Sequence, residues 1–155
     1  MRHGIPWLII LLLICAPTNV LSQIKSEVVQ EEYLHVFIDS NSKRVKECRN
    51  QWSNERSLQI KYRAQLSYVK SGNRRAALSI DREIVGLKQD IEKNKEGILL
   101  LESEMKKTRL DMVKYYKGKP PKKLLSQWER IENQYKEIYE KCVQDVHKVQ
   151  VAPIE

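Results

Sequence analysis

Cys15, Cys48, Cys142, His3, His35 and His147 are the residues of this 155-residue chain most apt for thiol redox chemistry, metal ligation or proton transfer near neutral pH. Their spacing assembles none of these chemistries. Glu32-x-x-His35 matches half of a di-iron bundle signature, which needs a second Glu-x-x-His on another helix, and the chain has none. There is no nucleophile elbow, no glycine-rich phosphate loop and no paired-cysteine metal motif. The carboxylates of KQDIEKNKE and ERIENQ alternate with lysine and arginine, the pattern of a solvated helix face with local ion pairs rather than of an acid–base pair. The expectation is a non-enzymatic protein with no catalytic, metal or cofactor residues.

The basic residues are the other candidates. Lys114, Lys117, Lys119, Lys122 and Lys123 crowd one glycine- and proline-marked segment, and Lys70, Arg74 and Arg75 crowd another. Such clusters attract sulfated glycans, anionic lipid headgroups or acidic protein surfaces, and they equally serve solubility, because turns are exposed. Tyr115, Tyr116, Trp128, Tyr135 and Tyr139 read as core aromatics more than as a binding strip, since three of them fall on an apolar helical stripe. A nucleic-acid partner is not expected, given the predicted export and the lack of a recognition fold.

Export is read from residues 1–22. Arg2 and His3 precede the apolar run IPWLIILLLICA, which PTNVLS follows, with Val20 and Ser22 at positions suited to cleavage before Gln23. An uncleaved anchor would need roughly 20 apolar residues, and Pro17, Thr18 and Asn19 interrupt the run too early. Cleavage removes Cys15 and, among charged side chains, only Arg2, so the net charge falls from +8 to +7. Residues 23–155 then form one extracellular helical domain with two cysteines. In an oxidising compartment an even count predicts a Cys48–Cys142 disulfide over two separate buried thiols. No Asn-x-Ser/Thr sequon is present in 23–155.

The elements that must position these residues are helices of period 3.5. Ile80, Ile84, Leu87, Ile91, Asn94, Ile98, Leu101, Met105, Thr108, Met112 and Tyr115 follow alternating steps of four and three. Trp128, Ile131, Tyr135, Ile138, Cys142, Asp145 and Val149 repeat the pattern. So, less cleanly, do Ile38, Asn41, Val45, Cys48, Trp52, Glu55, Gln59, Tyr62, Leu66 and Val69. Gly72 with Asn73, and Gly118 with Pro120 and Pro121, mark the breaks. Three helices are therefore predicted, at about 27–71, 73–117 and 120–148, with a kink or break at Asp39–Ser42, whose side chains favour caps and turns.

Short connections make consecutive helices antiparallel. At 1.5 Å per residue, Cys48 lies about 36 Å below the first turn, the second helix descends about 68 Å, and the third climbs about 36 Å back to Cys142. The thiols come level to within about one helical turn, whereas His35 and His147 end roughly 30 Å apart. The fold predicted is an elongated antiparallel three-helix coiled coil, thinning to a two-helix tip over 55–71 and 73–90. Its expected function is that of a secreted interaction protein. The alternatives are self-assembly through the tip, which makes the partner a second copy, and anion binding through the basic turns.

Overall fold

The structure, a computed structural model, describes residues 18–151, with side chains from Ser26 onward. The predicted leader lies outside the described residues, except that Thr18–Ser22 contribute backbone to the start of the first helix. The fold is all-α. Three helices, α1 (Thr18–Lys70), α2 (Arg74–Tyr115) and α3 (Lys122–Gln150), make up nearly all of the described chain.

The breaks form where glycine and proline require them. Gly72 takes the left-handed conformation (φ 73°), and Asn73 N–H returns to the Tyr68 carbonyl at 2.9 Å, closing α1. The Asn73 side chain then accepts from Ala76 N–H at 3.2 Å and caps α2. At the second turn it is Lys117 (φ 50°), not Gly118, that first enters the left-handed region; Gly118 (φ 80°) follows and donates to the Val113 carbonyl at 2.8 Å. Pro121, with no N–H to give, precedes the first residue of α3.

Burial along α2 keeps the expected seam. Ala77, Ile84, Ile91, Ile98, Met105 and Met112 are buried at every seventh residue, and Ile80, Leu87, Asn94, Leu101 and Thr108 between them are half-buried. Tyr115 departs from the expectation, being 47% exposed. The helix ends there, and Tyr116 turns inward instead, its hydroxyl donating to the Ser26 carbonyl at 3.5 Å.

α1 differs more. No break occurs at Asp39–Ser42; the helix is continuous, with Ser40 and Asn41 buried. Asn41 donates its side-chain amide to the Phe37 carbonyl one turn back (2.9 Å), and its oxygen accepts from Arg44 (3.1 Å). Its polar atoms are thus satisfied without leaving the helix. Phe37 consequently takes the inward place predicted for Ile38, which is exposed, as are Leu66 and Val69. In α3, Leu124, Trp128 and Val146 are buried, while Ile138, predicted on the seam, is 44% exposed.

Cross-links set the register. Asn54 donates to Asn94 at 3.0 Å, and Gln65 donates to Asp81, so α2 runs antiparallel to α1. Phe37 stacks on Trp128 with ring centroids 3.7 Å apart, Cys48 joins Cys142, and Gln150 donates to Glu55 at 2.6 Å, so α3 runs parallel to α1. Both α2 and α3 pack on α1, yet no Cα of α2 comes within 8 Å of one in α3. The side chains facing that gap include Lys95, Glu102, Lys106, Arg109, Glu132 and His147, and Arg109 of α2 pairs with Glu132 of α3 across it at 3.9 Å.

The core is segmented along the helices. Phe37, Met105, Met112, Leu124 and Trp128 form one cluster from all three helices. Cys48, Ile98 and Val146, with Trp52, Tyr139 and Cys142 beside them, form a second. Leu58, Ile84 and Ile91, flanked by Tyr62, Ile80 and Leu87, form a third from α1 and α2.

Candidate binding surfaces

The middle of the molecule is built around the bridge. Cys48, 1% exposed, and Cys142 have Cα atoms 6.3 Å apart and are joined as a disulfide closing 94 residues of chain. Next to it Arg44 lies over the Tyr139 ring, 4.2 Å from the centroid, and 3.6 Å from Glu102. Burial, reinforced by Glu102 and opposed by Arg44, raises the Tyr139 phenol above its ordinary value. On one side of the bridge, a groove of about 580 Å³ separates α2 from α3, with Cys48 and Gln51 at its base and Leu99 and Val143 on its walls. A smaller hollow of about 400 Å³, lined by Arg49, Trp52, Ile138 and Asp145, lies on the other side.

The predicted anion-binding residues divide between two places. Lys114, Lys117, Lys119, Lys122 and Lys123 surround the α2–α3 turn, all exposed, and none forms an ion pair with a described residue. Lys70, Arg74 and Arg75 surround the α1–α2 turn, also exposed. The 42 residues of α2 keep the two clusters about 63 Å apart, so they cannot act on one small ligand. His35, Glu32 and His147 are exposed, and among the described residues no three His, Cys, Asp or Glu side chains gather as a metal site would require.

Beyond Gln150 the stripe of α1 that seats α3 continues. Val45, Cys48 and Glu55 are buried under α3, whereas Leu66 and Val69 on the same stripe are 42% and 62% exposed. Across from them Leu78 and Val85 of α2 are exposed as well.

A further surface was not singled out from the sequence. Arg49, Arg56, Arg63 and Lys70 recur every seven residues along α1, and all are exposed. Between Lys43 and Lys70, α1 carries only two carboxylates, and both turn inward: Glu47 accepts from Asn94 (2.8 Å) and Glu55 from Gln150. On α1 itself the basic row is therefore not interleaved with acid. Heptad spacing of arginine was the signal available, but surface cations at helical spacing read first as solubility. Among the described residues no helix is long and apolar enough to cross a membrane. No family model matches this chain, and no match was found among the curated proteins or the solved structures.

Proposed function

We propose that this is a secreted, non-enzymatic coiled-coil protein that acts by binding another protein. Its contact region is the end that α3 leaves bare, a two-helix tip formed by residues 55–71 and 73–90. The observation that carries this reading is the exposure of Leu66 and Val69 on the α1 stripe that α3 closes lower down, with Leu78 and Val85 of α2 exposed at the same end. A contiguous apolar strip left open on a small exported protein is stabilised by a partner, and helix-in-groove docking is the mode such a strip fits. The heptad burial of α2 supports the coiled-coil description. Solvent-facing pairs within one helix, such as Lys93–Asp90 and Lys95–Glu92, support a structural surface rather than a reaction centre.

Two measurements test it. Mass spectrometry of the secreted protein should give an N-terminus at Gln23 and a mass two hydrogens below the reduced chain; an intact Met1 would refute export by cleavage. A photo-crosslinking residue at Val69, in protein returned to its native extracellular fluid, should yield one discrete adduct. The same residue at Leu110, exposed on α2 below the tip, should not. Equal labelling at both positions would remove the tip from the proposal.

A further inference from the structure

We propose that the outer face of α1 is a track for a linear sulfated polyanion, and that it, rather than the lysine-rich turn, is the polyanion-binding site of this protein. Arg49, Arg56, Arg63 and Lys70 stand in one row about 10.5 Å apart, spanning about 32 Å on a single continuous helix. Arg74 and Arg75, exposed at the start of α2, lie just past the turn. On one side the row is flanked by Ser53, Ile60 and Ser67, and on the other by Trp52, Gln59 and Leu66. A flat, hydrated polymer can approach such a floor closely and meet hydroxyl and amide groups between the cationic posts.

Arginine is suited to this work. Its planar guanidinium meets sulfate oxygens through two parallel N–H bonds, where lysine offers a point charge. The row is also held in position. Arg56 lies over the Trp52 ring at 5.6 Å, and the backbone beneath Arg49 is tied to α3 one residue away by the Cys48–Cys142 bridge. The five lysines at the α2–α3 turn share the sign but not the order, being spread over a helix end, a turn and a helix start. Both Glu47 and Glu55 face inward, so α1 itself sets no carboxylate against a polyanion between Lys43 and Lys70; Asp145 of α3 shares a hollow with Arg49 but is paired with Lys148 at 3.0 Å.

The test compares two variants that each lose three positive charges from the oxidised protein. These are Arg49→Ser/Arg56→Ser/Arg63→Ser and Lys117→Ser/Lys119→Ser/Lys122→Ser, titrated with heparin oligosaccharides of defined length. The arginine variant should lose at least tenfold in affinity and show a shallower dependence on salt, since fewer counterions are released. The lysine variant should lose less than threefold. Equal losses would mean that net charge alone governs binding, and a larger loss from the lysine variant would place the site at the turn; either result overturns the proposal. Arg49→Lys/Arg56→Lys/Arg63→Lys keeps charge and helix but replaces paired N–H bonds with point charges, and should lose affinity by less than the serine variant. A loss as large as that of the serine variant would point to misfolding and also defeat it. Wild-type affinity should rise with oligosaccharide length until the row is spanned. Binding to duplex DNA or to phosphatidylserine vesicles as tight as to heparin, at the same salt, would refute the assignment to a sulfated polysaccharide.

Discussion

Lys117 is the residue whose backbone works against its side chain. It holds φ 50° at the end of α2, a conformation that costs an L-residue with a Cβ about 1–2 kcal/mol. Lys117→Gly should therefore raise stability by about 0.5–1 kcal/mol, less than the full strain because glycine also frees the unfolded chain. Urea unfolding of the oxidised protein measures this, and an unchanged midpoint would mean that the strain is absent. Tyr139 makes a different prediction. Its phenol keeps its proton in the folded state to a higher pH than in the unfolded chain, mainly because burial disfavours the phenolate. As pH rises through about 10, the unfolded chain releases that proton first. The contribution of Tyr139 is thus fully present below that pH and declines above it. Tyr139→Phe should flatten part of the alkaline fall in melting temperature. An identical profile in the variant would show that Tyr139 titrates as it does unfolded.

At the scale of the helix, one pair of neighbours separates packing from composition. Ile98 is 8% exposed against Cys48 and Val146, while Leu99, the next residue of α2, is 66% exposed on the groove wall. Ile98→Ala should cost about 2–5 kcal/mol, and Leu99→Ala should stay within about 0.5 kcal/mol of the wild type. Comparable losses from both would mean that Leu99 is covered in solution, by α3 or by another chain. The contrast also shows what periodicity could reveal. The four–three step separated Ile98 from Leu99 correctly, because α2 packs along its length on one partner with one repeat. It placed Asn41 on the α1 stripe correctly but put Ile38 there in place of Phe37, and missed that Ser40 is buried. Apolar spacing carries no information about an amide that satisfies itself on its own helix. The gap between α2 and α3 was equally hidden, since it depends on where long side chains such as Lys106, Arg109 and Glu132 extend their ends. The Arg49–Lys70 row was present as a spacing, but only the inward turn of Glu47 and Glu55 distinguishes it from an ordinary mixed surface.

Across the whole molecule, α3 is the element with least support. Its backbone approaches α1 and not α2. Its deepest residues lie at opposite ends, Leu124 and Trp128 in the cluster with Phe37 and Met112, and Val146 beside the bridge. Between them Ile131 and Tyr135 are only half-buried and Ile138 is exposed. The disulfide is the one covalent tie on the last three turns of α3, beside Val146, Tyr139 and Gln150, whereas the aromatic stack of Phe37 and Trp128 holds the first two without it. Replacing both cysteines by serine should cost about 2–5 kcal/mol in total, and the loss should be unevenly distributed. Hydrogen exchange read by mass spectrometry should show amide protection over 139–150 falling much further on Cys48→Ser/Cys142→Ser than over 122–132. Protection in the α1–α2 pairing around Ile84 and Ile91 should change least, since that cluster contains no α3 residue. A uniform loss over all three helices would mean that the molecule unfolds as one cooperative unit and that α3 is not independently tethered. Unchanged protection over 139–150 would mean that Val146 and Gln150 alone suffice to seat it.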